Sequence, residues 1–301
     1  MAKLERFRGC LLGLAVGDAV GTTVEFRPRG SFPPVSDMQG GGPFHLPPGA
    51  WTDDTSMALC LATSLVECAG FDAHDQMTRY CRWWQEGYLS STGRCFDIGN
   101  TTASALRRFQ HHGDPMAGSE EPHSAGNGSL MRLAPVPMFF YPDAEAAAHH
   151  GAESSRTTHA AAECLDACWL YARMLVRALA GEEKSTVLLG DADDFRSTPR
   201  LMAIARGEYR DQDEARIRGS GYVVDCLEAA LWCFHQTDNF REAVLRAVNL
   251  GDDADTTGAV VGQLAGAFYG EADIPPAWLA RLAMTHEIGE LAERLAHRPG
   301  P

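Results

Sequence analysis

Thr52, Asp53, Asp54 and Thr55 stand together in "GAWTDDTSMALCLA", residues 49–62. One threonine or aspartate is enough to start a helix, because one side-chain oxygen accepts from the first free N–H groups and negative charge suits that end of the dipole. Two adjacent carboxylates before a buried run repel each other unless a cation neutralises them. Near the other end, "NLGDDADTTGAVVGQLAGAFYG" repeats the form with Asp252, Asp253, Asp255, Thr256 and Thr257. Each stretch alone reads as a capped helix. Together they read as two halves of one cation site. Oxygen-only ligands favour a hard cation, Mg²⁺, Mn²⁺ or Ca²⁺, over zinc. An EF-hand is excluded: Asp253, Asp255 and Gly258 match loop positions 1, 3 and 6, but Leu264 stands where a bidentate glutamate is required.

Three further stretches bear chemistry-capable side chains. In "HSAGNGSLMRLAP", residues 123–135, Gly126 and Gly128 allow close backbone approach, and successive N–H groups in such a turn can hold a phosphate. Ser124, Asn127, Ser129 and Arg132 add polar groups. The stretch lacks the GK[ST] of a P-loop and the preceding strand of a dinucleotide fingerprint, so by itself it is a polar loop. In "GRCFDIGNTTASAL", Asp97 and Asn100 flank Gly99 ahead of an amphipathic helix. Phe96 and Ile98 put the Asp97 carboxylate at the edge of an apolar pocket, where a raised pKa would suit acid–base work. His159, in "SRTTHAAAE", lies at the head of an Ala-rich segment, where a core or capping histidine is the ordinary outcome.

The elements that must position these groups read as helices. Phe7, Cys10, Leu11 and Leu14 keep helical spacing, as do Met57, Cys60, Leu61 and Leu65. Ala/Leu-rich helical segments are expected at about 156–180, 222–236, 239–249, 256–268 and 277–297. "STVLLG" and "PVPMFFY" are the best strand candidates, and both are short. Loops are expected at 27–51 and 111–128, with a charged stretch at 181–221. Gly9, Gly13, Gly17 and Gly21 recur every four residues, a glycine stripe that lets another backbone pack closely. That segment reads as a core helix rather than a signal peptide, and no uninterrupted apolar run reaches the roughly 18 residues of a membrane span.

With 301 residues and 45% apolar content, the chain can bury a sizeable core; without internal repeat or linker, it reads as one all-α domain over 1–301. A net charge of −14 without a Lys/Arg block speaks against nucleic acid as a partner. Nine cysteines without a CxxC pair, among them Cys10, Cys60, Cys68, Cys164, Cys168, Cys226 and Cys233 in apolar helix-like runs, fit buried thiols in a reduced cytoplasm.

The stretches "GCLLGLAVGDAVGTTVEF", "WTDDTSMAL", "FDIGNTT", "GNGSLMR", "THAAAECLDACW" and "GDDADTTGAVVGQLAGAFYG", in this order, resemble the ADP-ribosylglycohydrolase family. "FDIGNTT" looks most like the bacterial branch that includes dinitrogenase reductase activating glycohydrolase. The resemblance implies an all-α orthogonal bundle with a central cleft for two Mg²⁺ or Mn²⁺ ions. It matches Thr52, Asp53 and Asp54 to a first ligand group and Asp253, Asp255 and Thr256 to a second. Glu25 matches a glutamate near the metals; Ser124, Gly126, Asn127, Gly128 and Ser129 match a diphosphate-receiving loop. Asn100 falls in the substrate-facing stretch, His159 matches a ligand-contacting histidine, and Tyr222 the adenosine end. Asp252 stands where the family has glycine, and Ala125 where some members carry an aromatic.

The implied reaction splits the bond from ribose C1″ to an arginine nitrogen, releasing ADP-ribose from an ADP-ribosylated protein, with Asp97 or Glu25 handling protons. The alternatives are cleavage of serine-linked ADP-ribose and an immunity protein that neutralises an ADP-ribosyltransferase by hydrolysis or occlusion. An inactive structural relative is disfavoured by the intact aspartates.

Overall fold

The computed structural model describes residues 2–297. Its fourteen α-helices are α1 (Lys3–Gly21), α2 (Asp53–Glu67), α3 (Ala73–Glu86), α4 (Asn100–His112), α5 (Pro135–Phe140), α6 (Ala144–Arg156), α7 (Ala162–Ala180), α8 (Lys184–Leu189), α9 (Pro199–Ala205), α10 (Val223–His235), α11 (Phe240–Val248), α12 (Ala254–Tyr269), α13 (Pro276–Arg281) and α14 (Thr285–Ala296). Among the described residues there is no strand, only isolated bridges such as Gly126 with Tyr222. The fold is an all-α bundle.

Two buried helices form its axis. Along α1 and α12 the glycines oppose each other antiparallel: Gly9 with Gly266, Gly13 with Gly262, Gly17 with Gly258. A Cβ on Gly17 would sit 1.9 Å from the Gly258 carbonyl oxygen, and one on Gly262 would sit 2.1 Å from that of Gly13. The stripe therefore does what its spacing predicts, bringing two backbones together without side chains between them. It also has a functional end. Gly21 meets the backbone of Ala254 and Asp255, so the last turn of α1 is locked against the first turn of α12. By length and mean hydropathy (1.2), the segment Lys3–Val24 could cross a membrane, yet 89% of its window is buried inside the protein, as in a core helix.

Several expected elements are corrected. Both strand candidates are short helices, α5 and α8; Pro135 occupies the first turn of α5, where its missing N–H costs nothing. The helix expected over 156–180 begins only at Ala162, and His159 lies in the connection before it. There the Ser155 hydroxyl donates to the His159 carbonyl and the Thr157 hydroxyl to that of Ser154, drawing the chain out of helical register. The helix expected over 277–297 is broken between α13 and α14. The loop before α2 pins the break: Ala283 N–H donates to Gly49 and Trp51 Nε1 to the Ala283 carbonyl. The charged stretch 181–221 contains α8 and α9. Cys68, expected in the core, is exposed.

Candidate active site

Three helices begin at the same place. α2, α4 and α12 start at Asp53, Asn100 and Ala254, and none has its first N–H groups capped by the side chain of its own N-cap residue, Thr52, Gly99 or Asp253. Their positive ends converge on a cleft of about 390 Å³, lined among others by Glu25, Asp53, Asp97, Asn100, Gly126, Asn127, Gly128, His159, Asp253, Asp255 and Thr256. Such convergence favours negative charge, from the protein or from a ligand.

The expected cap at Thr52 is replaced by a longer-range device. Asp18, wholly buried on α1, accepts from the N–H of Thr52 (2.9 Å) and Thr55 (3.0 Å) and from the hydroxyls of Thr52 (3.0 Å) and Thr55 (2.6 Å). One carboxylate on a neighbouring helix thus caps α2, and the Thr52 hydroxyl points its hydrogen away from the acids in front of it. Thr52 Oγ1 also lies 3.4 Å from Asp54 Oδ2 and 3.3 Å from Asp255 Oδ2. A hydroxyl has one hydrogen, so it satisfies at most one of these three carboxylates. Thr256 Oγ1 is 3.5 Å from the same Asp54 oxygen. The two acidic stretches therefore meet, and Asp54 Oδ1 and Asp255 Oδ1 are buried with no hydrogen-bond partner.

The electrostatics follow from this crowding. Burial, reinforced by neighbouring carboxylates, holds Asp53, Asp54 and Asp255 well above the ordinary carboxylate range. Asp253 is also raised by burial, opposed by the Asn127 amide, which donates to its Oδ2 at 2.8 Å. Asp18 is pushed up to about 6 by burial, against its four hydrogen bonds. Glu25 and Asp97 face each other: burial and then the Asp97 charge raise Glu25 to about 10, and burial raises Asp97 to about 7. Carboxyl oxygens of Glu25, Asp97 and Asp255 lie within 4.8 Å of one another. Asp97 holds this place with φ 60°, a left-handed backbone uncommon for a residue with a side chain.

The opposite wall is the glycine loop. The N–H groups of Gly128 and Ser129 have no acceptor among the described residues, while Leu130 and Met131 both donate to the Asn127 carbonyl. The loop is thus one helical turn with its first N–H groups free. A Cβ on Gly128 would lie 2.7 Å from His159 Cε1, so the histidine ring packs on the glycine backbone. Behind it, Arg132 is fully buried beside no carboxylate; it donates to the Gly128 carbonyl and the Thr158 hydroxyl, both at 2.8 Å, and lies over the Tyr80 ring. The Thr158 hydroxyl in turn lies 2.8 Å from His159 Nδ1. The contact at Nδ1 leaves the Nε2 edge of the ring on the cleft side. Burial, then the Arg132 charge, pushes His159 down to about 3, keeping it neutral.

Not every expected residue faces the cleft. Thr52 and Asp54 lie beneath it. The Ser129 hydroxyl is buried against that of Ser155, 2.7 Å away, so only its N–H is presented. The Ser124 hydroxyl donates to the Glu121 carbonyl and lines, with Tyr222, an adjoining hollow of about 370 Å³. Tyr222 donates to Glu163 at 2.6 Å, and burial raises its phenol to about 12. Asp252 is exposed at φ 56°, its N–H and carbonyl paired with Arg27 and Phe26. Its carboxylate lies outside the cleft, so the departure from glycine adds backbone strain, while its charge raises Asp253 less than burial does. Asp18 and Thr158 were missed; an aspartate inside the glycine stripe, one residue after Gly17, was the available signal for the first.

A family model described as ADP-ribosylglycohydrolase matches residues 1–301. The chain belongs to the ADP-ribosylglycohydrolase family. ADP-ribosylarginine hydrolase Tri1 of Pseudomonas putida (strain GB-1) is 47% identical over 98% of this chain and 79% of that protein. ADP-ribosyl-[dinitrogen reductase] glycohydrolase of Rhodospirillum rubrum is 35% identical over 94% of this chain and 89% of its own length. Among solved structures, an ADP-ribosylglycohydrolase-related protein complex superposes with a TM-score of 0.87 at 44% identity, covering 98% of both chains. These likenesses fit the cleft: free N–H groups and a neutral imidazole on one wall, clustered carboxylates on the other.

Proposed function

We propose that this family member is a metal-dependent hydrolase that removes ADP-ribose from arginine side chains of ADP-ribosylated proteins. The observation that carries the reading is the pair of buried, unpartnered oxygens Asp54 Oδ1 and Asp255 Oδ1 across one shared threonine hydroxyl. Buried anions without partners are strongly unfavourable unless a cation joins them, and an all-oxygen donor set suits Mg²⁺ or Mn²⁺. Two such ions would be held by Thr52, Asp53, Asp54, Asp253, Asp255 and Thr256. When bound, they supply Lewis-acid polarisation and a fixed anchor for ribose hydroxyls.

The remaining work falls to the chain. The N–H groups of Gly128 and Ser129 and the start of α4 hold the diphosphate, with the Nε2 edge of the neutral His159 ring beside it. The hollow beside Tyr222 takes the adenosine end. Glu25 and Asp97 form the acid–base pair: one delivers a proton to the leaving nitrogen and the other takes one from the attacking water. Arginine rather than serine as the acceptor rests on the names of the similar proteins, Tri1 above all. Free cysteines throughout suit the proposed cytoplasmic location.

The test is ADP-ribose release, with Mg²⁺ or Mn²⁺ and with chelator, from arginine-linked and serine-linked substrates side by side. Metal-dependent release from the arginine linkage supports the proposal; release from serine alone overturns the acceptor. Protection of a cell against an ADP-ribosyltransferase by an Asp253→Ala variant would point instead to occlusion.

A further inference from the structure

Phe26 is the one large apolar side chain that stands exposed among the described residues, with 64% of its surface in solvent, and it lines the cleft. It belongs to a row of rings. Phe26 and Phe44 have centroids 6.5 Å apart, and Phe44 and Phe96 are 5.2 Å apart. Two of these rings are chain neighbours of carboxylates that line the cleft: Phe26 follows Glu25 and Phe96 precedes Asp97.

The row is built in place. Phe26 has φ 63°, and its N–H donates to the Asp252 carbonyl at 2.7 Å, so the fold holds an unfavourable backbone state that turns this ring outward. Phe44 comes from the turn closed by the Gly41–Leu46 bridge. That turn sits directly on the end of α1: a Cβ on Gly42 would lie 2.0 Å from the Thr22 carbonyl oxygen. Folding alone gives no reason to hold a strained phenylalanine in water at the mouth of an acidic cleft.

We infer that Phe26, with Phe44 and Phe96 behind it, is the binding site for the acceptor side chain, taking a planar cationic guanidinium against ring faces beside the carboxylates. The inference rests on the hydrolase reading above. A group that protonates the leaving nitrogen must lie within hydrogen-bond reach of it. The acceptor therefore emerges beside Glu25 and Asp97, whose adjoining rings are these phenylalanines. An aromatic face attracts a guanidinium and offers little to the neutral serine hydroxymethyl group. The rim thus discriminates between acceptors rather than holding ADP-ribose.

The experiment uses the full chain with Mg²⁺ and three variants, Phe26→Leu, Phe26→Ala and Phe26→Tyr. Phe26 is exposed, so these changes leave the core intact. KM for an ADP-ribosylarginine peptide should rise about fivefold in Phe26→Leu and in Phe26→Ala and return in Phe26→Tyr, as expected for one partly exposed cation–π contact. The Kd for free ADP-ribose, which lacks the acceptor, should stay as in the wild type. An unchanged KM, or an equal loss of ADP-ribose affinity, overturns the rim assignment and leaves the hydrolase reading standing. Wild-type protein that releases nothing from the arginine peptide overturns both.

Discussion

The two acidic stretches look alike in sequence and are held in opposite ways. The first, Thr52 to Thr55, is sealed from behind: Asp18 on α1 takes two N–H groups and two hydroxyls, and the side chains of the stretch are buried. The second, Asp252 to Thr257, is held from the rim. Asp253 receives the Asn127 amide and gives its N–H to Gly219, while Asp252 faces solvent. The first is therefore a rigid floor, and the second couples the acids to the glycine loop through Asn127. A repeated motif need not mean a repeated anchor.

The largest effect expected separates the inner from the outer aspartates of the second stretch. Asp255→Asn should lower metal-dependent ADP-ribose release by on the order of 10³-fold, since it removes several kcal/mol of cation and transition-state stabilisation. Calorimetry should find the Mg²⁺-induced rise in melting midpoint abolished and the chelated protein more stable than wild type, because an unpartnered buried charge is gone. A chelated protein made less stable would show that Asp255 is a structural acid.

Next in size is the contact that sets both stretches side by side. Gly17→Ala puts a Cβ into the Gly258 carbonyl, and neither backbone can retreat without moving its helix. A loss of about 3 kcal/mol is expected from the denaturant midpoint. A midpoint within error of wild type would mean that α1 and α12 are not locked as described.

The floor itself can then be tested. Asp18→Ala strands the N–H groups of Thr52 and Thr55 and removes one buried acid; the stranded donors outweigh the relieved repulsion, for a net loss of about 2 kcal/mol. Asn127→Ala should cost less stability and more ADP-ribose affinity, seen by titration calorimetry. Equal effects of the two variants would erase the distinction between floor and rim.

The smallest change is Asp252→Gly. It relieves a left-handed aspartate whose carboxylate lies outside the cleft, for a gain of about 0.5 kcal/mol and a nearly unaltered midpoint shift with Mg²⁺. A reduced shift would place Asp252 among the groups that feel the cation.

Much of the site was legible because its residue types are costly anywhere else. Doubled aspartates before apolar runs, glycines in a polar loop and an aspartate between Phe96 and Ile98 each read locally as a cap, a loop or a turn, and only their occurrence together asks for a ligand. Other parts were not legible. Periodicity cannot tell a continuous helix from two helices broken by a hydroxyl or by a distant loop, which is why His159 was expected on α7 and α14 was merged with α13. Nor can it tell a short apolar helix from a strand, as α5 and α8 illustrate.

What the sequence by itself determined is the helical class, the glycine stripe and the chemical character of the site, because spacing and side-chain type are local properties. Only the tertiary structure decided that Asp18 rather than Thr52 caps α2, that Asp252 lies outside, and that Arg132 bonds Thr158 behind His159. Each of these is a hydrogen-bond choice between groups far apart in the chain. A donor takes whichever acceptor packing brings within about 3 Å, and local sequence does not contain that distance.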